Sequence, residues 1–191
     1  EIPADAQNDP AEEVPFTLWS QYLDRIIFPD HKTTPQQRSH IGYTLKLVVG
    51  SMLEYARPGD IPRFLGSLLR HYDHPEHLDA DTAFTLLDAI RYLPPSYYGP
   101  DTLARLVSFA AHFSGSDDPR LVTAALLFLR EIEPSLSPDD PQLPRIIQIV
   151  LGIRSEQLTT VFLKCQILRQ AGRDVSELEH TLYQTDITSE V

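Results

Sequence analysis

The sequence predicts an all-α protein in which about four helical hairpins stack as a right-handed α-α superhelix. Three observations support this fold class. A short apolar motif that contains an arginine occurs four times along the chain. Apolar residues elsewhere follow helical spacing, and many of the 16 prolines stand at the ends of helical segments. No segment shows sustained alternation of apolar and polar residues with turn pairs, so strands are not predicted.

The recurring motif contains Arg25, Arg63, Arg105 and Arg145. The steps between these arginines are 38, 42 and 40 residues, a length typical of stacked two-helix units. Each arginine lies about 200° around its helix from the leading Leu or Ile, at about 100° per residue. We therefore expect the apolar positions to face inward and the four arginines to form an exposed row.

Helical periodicity divides the chain into nine segments. Their apolar residues are expected to face the core, Phe84 in the fourth segment included. Capping residues precede prolines at Asp118-Pro119 and Asp140-Pro141, and Ser176 with Glu179 has capping-box spacing. The predicted helices are 17–28, 35–56, 61–72, 81–93, 101–113, 119–133, 142–154, 156–171 and 176–184.

A second echo lies in the second helix of each predicted pair. Thr44, Thr85, Thr123 and Thr160 are 41, 38 and 37 residues apart, and each precedes an apolar cluster. We interpret these threonines as equivalent positions of the same repeat.

Charge divides the chain into three parts. Residues 1–15 carry five acids and no base, residues 174–191 carry five acids and no base, and the remaining 17 acids nearly balance the 16 bases. We expect a flexible acidic lead-in over 1–15, one helical-repeat domain over 16–184 and a flexible tail over 185–191. We expect no nucleic-acid partner, because phosphate binding needs a clustered positive face and the acidic ends would repel a polyanion.

One unit of the repeat reads Asp60-Ile61-Pro62-Arg63-Phe64-Leu65 and continues through a short turn to Ala83-Phe84-Thr85-Leu86-Leu87. This unit resembles armadillo/HEAT-type repeats, and the resemblance covers about residues 17–171. It implies an α-solenoid that acts through its surface. Peptide-binding armadillo domains use ladders of Asn and Trp, whereas this chain has one Asn and one Trp. A contact with a folded partner is therefore expected rather than the clamping of an extended peptide.

The predicted function is a non-catalytic protein–protein interaction module or scaffold domain. The candidate protein-binding residues are the arginine row and two tyrosines in an inter-helix turn, because guanidinium groups favour carboxylates and aromatic residues often anchor interfaces. No cofactor is expected, the partner is expected to be a protein, with an acidic one favoured by the arginine row, and no oligomeric state is predicted. The candidate residues are Arg25, Arg63, Arg105, Arg145, Tyr97 and Tyr98.

An alternative function is a helical metal-dependent hydrolase built on the stretch His71–His77, which contains three histidines and two acids. It loosely resembles the His-and-Asp metal stretch of all-helical phosphodiesterases, which need further ligands from separate helices. The purely structural interpretation is a helix end, where histidines complement the helix dipole, followed by an acidic loop that caps the next helix. We favour this interpretation, and therefore expect neither a metal site nor an enzyme.

Three further features bear on recognition and compartment. Pro94-Pro95-Ser96-Tyr97 has the form that WW domains bind, and Ser189-Glu190-Val191 has the form of a PDZ ligand. The alternative for the first is an inter-helix turn whose tyrosines pack on neighbouring hairpins, and the second would act only if Val191 is the natural terminus. The lone Cys165 rules out an internal disulfide, and with no apolar span or signal-like start the expected location is cytoplasmic or nuclear, without membrane association.

Overall fold

A computed structural model of the chain describes residues 43–44, 47, 50, 54, 59, 62, 66, 68–91, 96 and 98–188, the last four of these by backbone only. The chain divides into two compact units, Glu1–His71 and Tyr72–Val191. Most of the few described residues of the first unit are helical. The second unit carries most of the described structure, and the elements below belong to it.

The described residues form helices and turns and contain no strand, which confirms the prediction of an all-α fold. A 3-10 helix over Pro75–His77 precedes the first α-helix, and another over Glu133–Ser135 follows the third. The α-helices agree with the predicted segments to within a few residues. They are α1 Ala80–Ile90, α2 Pro100–Ser114, α3 Pro119–Ile132, α4 Gln142–Gly152, α5 Leu158–Gln170 and α6 Ser176–Thr188.

The first five helices pack as two layers. Helix α3 packs against α1 and α5, and these three form the first layer. Helices α2 and α4 pack against each other and form the second layer. The layers are joined by contacts of α2 with α3 and of α4 with α5, and α6 packs against α5. Each consecutive pair, α2–α3 and α4–α5, is therefore a hairpin with one helix in each layer.

The helices of the first layer bury the same positions at a constant step of 39 residues. Their first residues, Ala80, Pro119 and Leu158, stand at this step. Seven positions are buried in all three helices, and together they cover one side of each helix. The sets are Thr82, Ala83, Thr85, Leu86, Leu87, Ala89 and Ile90; Leu121, Val122, Ala124, Ala125, Leu126, Phe128 and Leu129; and Thr160, Val161, Leu163, Lys164, Cys165, Ile167 and Leu168.

This 39-residue step corrects the predicted threonine echo. Thr85, Thr123 and Thr160 are not equivalent: Thr85 corresponds to Ala124, and Thr123 corresponds to Phe84. The threonines share neighbours in sequence, but each helix is oriented by its whole apolar side, so a single residue type does not fix the alignment.

The capping predictions are partly right. Asp118 is the N-cap of α3, where its carboxylate accepts a bond from the backbone N–H of Arg120 at 2.9 Å, and Asp140 accepts from Gln142 N at 2.8 Å. The capping box of Ser176 and Glu179 is wrong. Asp174 accepts from the N–H and the hydroxyl of Ser176 instead, and Glu179 pairs with Arg169.

Lys164 is a buried lysine in the first layer, at the position that Leu86 and Ala125 occupy in α1 and α3. Its Nζ donates a hydrogen bond of 2.6 Å to the carbonyl of Ile153, which caps the C-terminus of α4. A cation is favoured at this end of a helix dipole, while burial lowers the pKa of the Lys164 ammonium from its usual value. The lysine thus ties the two helices of one hairpin together.

An aromatic cluster closes the core of the second layer. Phe109 is buried, and its ring lies edge-on to Tyr72 and Phe113, with centroids 4.6 Å and 5.0 Å away. The Tyr72 hydroxyl donates to the carbonyl of Leu86 at 2.7 Å. The ring of Phe109 therefore fills a site that smaller side chains would leave empty.

We predict that Phe109→Ala lowers the free energy of unfolding by about 3–5 kcal/mol, because it removes a buried ring and leaves a cavity. The matched control is Phe162→Ala, since half of that side chain is exposed and its loss is expected to cost less than about 1 kcal/mol. Chemical denaturation followed by circular dichroism measures both. Equal costs would contradict the placement of Phe109 in the core.

Helix α5 is followed by a glycine, Gly172, whose backbone conformation is required to close the helix end. Gly172 has φ +70°, the only positive φ among the described residues. Its N–H bonds to the carbonyl of Arg169 at 3.0 Å, and that of Arg173 bonds to the carbonyl of Leu168 at 2.8 Å. These two bonds satisfy carbonyls that the helix end would otherwise leave unpaired, and they require the left-handed residue between them.

We predict that Gly172→Ala destabilises the protein by about 1 kcal/mol, because an L side chain is strained at positive φ. A Cβ at Gly172 would meet no atom within 4 Å, so the cost is conformational rather than steric. Gly152→Ala is the control: a Cβ there also meets nothing within 4 Å, and the residue is helical. Thermal unfolding should show a loss for the first variant and no loss for the second.

Candidate protein-binding surface

Two of the four predicted arginines lie in the described structure, on adjacent helices of the second layer. Arg105 on α2 and Arg145 on α4 are both exposed. Arg105 forms an ion pair with Asp73 in the turn before α1. Arg145 donates from Nη2 to the hydroxyl of Ser108 at 2.8 Å, and its Nη1 lies 3.5 Å from the carbonyl of Ala104. Each guanidinium thus reaches back to an earlier segment of the chain.

The other predicted binding residues divide between the described and undescribed parts of the chain. Arg25, Arg63 and Tyr97 lie outside the described residues, as do Pro94, Pro95 and the last three residues of the chain. Tyr98 is half-buried, and its hydroxyl donates to the carbonyl of Ile90 at 2.9 Å. Burial raises the pKa of this hydroxyl above its ordinary value. The tyrosine therefore anchors the start of the segment that leads into α2.

The outer side of the first layer carries two exposed aromatic residues, one of which, Phe84, is predicted from helical spacing to face the core. Phe84 on α1 is 39% exposed and Phe162 on α5 is 50% exposed. Both stand at the 39-residue step from Thr123 on α3, which is half-buried. We call these three equivalent positions, Phe84, Thr123 and Phe162, the aromatic row after its two phenylalanines. Leu158, one helical turn before Phe162, is also exposed and extends the row on α5.

Charged side chains border the aromatic row toward the C-terminal ends of the helices. Arg91, Arg130 and Arg169 stand at the same 39-residue step. Arg91 pairs with Asp88 at 3.0 Å and approaches Glu131 at 4.0 Å. Arg130 contacts Glu131 at 2.9 Å and the amide oxygen of Gln166 on α5 at 3.2 Å, while Arg169 pairs with Glu179 on α6. Neighbouring helices are linked by these contacts.

A further link lies at the N-terminal ends. Arg120 on α3 is 3.3 Å from the carboxylate of Asp81 on α1 and 2.7 Å from that of Asp118. These hydrogen bonds hold the pKa of Asp118 below its ordinary value. The aromatic row therefore lies between charged contacts at both ends of the helices, an arrangement of apolar centre and polar rim that is common in protein interfaces.

The sequence contained a signal for the aromatic row. Alignment of α1, α3 and α5 by their whole apolar pattern, rather than by threonines, places Phe84 and Phe162 at one position, next to positions held by charged residues. Phe84 lies on the opposite side of α1 from the seven buried positions, and this is why its assignment to the core was wrong.

Part of the predicted metal stretch converges. His74, Glu76 and His77 are exposed, and one ligand atom from each lies within 4.8 Å of the others. Among the residues that the structure describes, this is the one group of three such side chains with that spacing. His112 on α2 and His180 on α6 do not belong to it.

Comparisons with protein-family models, curated proteins and solved structures returned no match to this chain. Within the described residues, no helix has both the length and the apolar composition needed to cross a membrane.

Two glutamates at the C-terminal end of α3, Glu131 and Glu133, lie in opposite environments. Glu133 caps the C-terminus of α3, is buried, and has a carboxylate oxygen without a hydrogen-bond partner. Burial raises the pKa of this carboxyl above its usual value, and the helix terminus disfavours a negative charge. Glu131, two residues earlier, is paired with Arg130 and Arg91.

We predict that Glu133→Gln raises the free energy of unfolding by about 0.5–1 kcal/mol at pH 7, because it removes a buried charge at a helix C-terminus. A raised folded-state pKa means that the ionised form costs stability, so the gain should disappear as pH falls below about 4, where Glu is neutral in both states. Denaturant titrations at pH 7 and pH 4 measure the difference.

The matched variant is Glu131→Gln, which loses exposed ion pairs and should lower the free energy of unfolding by about 0.2–1 kcal/mol. The two amide substitutions should therefore have opposite signs at neutral pH. A loss of stability with Glu133→Gln at pH 7 would show that its carboxylate has a stabilising partner.

Proposed function

We propose that the chain is a non-catalytic protein–protein interaction module or scaffold domain that presents a helical-repeat surface to a protein partner. The proposal includes an armadillo/HEAT-like arrangement, in which about four hairpins stack as a right-handed superhelix. Its binding surface is centred on the aromatic row of the first layer.

The packing order supports the stacked arrangement. Stacked hairpins place each helix beside the helix two places away in the chain, and α1, α3 and α5 have this relation, as do α2 and α4. The constant 39-residue step of buried positions also supports stacking, because repeated units that pack on one another bury equivalent sides of their helices.

The observation that carries the functional proposal is the exposure of Phe84 and Phe162 at equivalent positions of the layer. Aromatic side chains bury large apolar areas on binding and often dominate interface energetics. Their helices are rigidly supported, since the opposite side of each is buried in the core. A partner would thus meet a pre-organised surface and lose little free energy in ordering it.

The arginine row remains a second candidate for the same function. Arg105 and Arg145 belong to the other layer, so a partner that used them would contact a different side of the second unit. Their contacts with Asp73 and Ser108 hold them in place, and placed guanidinium groups would favour an acidic partner.

We predict that Phe84→Ala combined with Phe162→Ala reduces capture of a specific partner by about tenfold or more, because it removes two exposed anchors. The measurement is quantitative affinity capture from the native source followed by mass spectrometry. Circular dichroism and thermal unfolding of the double variant verify that the fold is retained.

Two control variants locate the binding surface. Tyr183→Ala on α6 removes an aromatic residue that is 70% exposed and lies outside the row, so it should leave capture unchanged. Arg105→Glu with Arg145→Glu tests the second layer. If every variant captured the same proteins as the wild-type chain, a role of the aromatic row in binding would be untenable, and loss only in the arginine variant would move the interface to α2 and α4.

A further inference from the structure

The turn before α1 brings three metal-ligating side chains to one point. His74 Nδ1 lies 3.3 Å from Glu76 Oε1, and His77 Nε2 lies 3.7 Å from the same oxygen. All three ligand atoms lie within 4.8 Å of one another, and all three side chains are exposed. Solvent, and therefore an ion, can reach them directly.

The backbone explains this convergence. His74 is the N-cap of the 3-10 helix Pro75–His77, whose bonds run from His77 N to His74 O at 3.1 Å and from Leu78 N to Pro75 O at 3.2 Å. Side chains three residues apart are eclipsed in a 3-10 helix, so the two imidazoles lie on the same side, with ring centroids 5.8 Å apart.

The turn is held at both ends. Before it, Tyr72 is buried and hydrogen-bonded to Leu86, and Asp73 pairs with Arg105. After it, Asp79 caps α1 by accepting from Thr82 N at 2.9 Å. These anchors fix the backbone around the cluster, so binding of an ion would require little further ordering of the chain.

We propose that His74, Glu76 and His77 form a binding site for a divalent transition-metal ion of the Zn²⁺ type. Imidazole nitrogen and carboxylate oxygen are ligands that Zn²⁺ prefers. A tetrahedral ion with bonds of about 2.0–2.1 Å requires ligand atoms about 3.3 Å apart, and two of the three separations are 3.3 Å and 3.7 Å. Three protein ligands leave the fourth position to water.

The site lies outside the aromatic row, and the proposal concerns binding of the ion rather than a reaction. Its direct consequence would be structural. The ion would join the two histidines across the turn that also carries Asp73, and would thereby stabilise the segment from which Asp73 holds Arg105.

The test is a zinc titration of the untagged full chain after removal of metal by a chelator. Isothermal titration calorimetry, with zinc chloride as the probe, should show one ion per chain. His74→Ala and His77→Ala should each weaken zinc binding by about tenfold or more, and Glu76→Gln should weaken it as well. X-ray absorption of the loaded protein should show two imidazole nitrogens among the ligands.

His112→Ala is the control, because that histidine is exposed on α2 outside the cluster and its loss should leave affinity unchanged. A second readout is the thermal midpoint, which zinc should raise in the wild-type chain and in His112→Ala but not in the His74→Ala/His77→Ala double variant. Equal zinc affinity of the wild type and this double variant would overturn the proposal, as would the absence of zinc binding to the wild type.

Discussion

The structure of the second unit depends on the burial of α3 between α1 and α5. Each of these helices is covered with apolar residues on one side and cannot leave it in water, so the neighbouring helix must present an equal and matching surface. The constant step of 39 residues follows from this demand. It also determines which residues remain outside: once seven positions are buried, the positions of Phe84, Thr123 and Phe162 are left on the outer side of the layer.

Polar contacts supplement this packing, and they follow the same order. Arg120 reaches Asp81, Arg130 reaches Gln166 and Arg145 reaches Ser108, and in each case the partner lies on the adjacent helix of the same layer. Exposed contacts of this kind contribute little stability individually. They do favour one alignment of neighbouring helices over its alternatives, because a shift of one turn would separate several pairs together. The protein thus combines non-directional apolar burial with directional links that select the alignment.

Much of the fold could be predicted from sequence because the apolar spacing and the capping residues of a helix are local features of the chain. Apolar spacing, together with capping residues that precede prolines, located α1 to α6 to within a few residues, and the capping role of Asp118 follows from its neighbours alone. The exposure of Phe84 could not be predicted from its own helix, since an apolar residue near an apolar stripe is assigned to the core unless the precise orientation is known. The convergence of His74, Glu76 and His77 was equally hidden, because it depends on a 3-10 turn rather than on helical spacing. Where the outcome depended on the rotation of a helix or on a short turn, sequence reasoning lacked the necessary geometry.

Lys164 distinguishes the hairpin of α4 and α5 from the helices before it. Its counterparts in the preceding helices of the layer are Leu86 and Ala125, side chains that need only apolar surroundings. The ammonium needs a carbonyl within reach, and Ile153 supplies it. Because the lysine and its carbonyl acceptor belong to the same hairpin, α4 and α5 form an inseparable pair: exchange of α5 alone for α1 or α3 would separate the lysine from its acceptor, and α5 in either of their places would bury a charge without this partner.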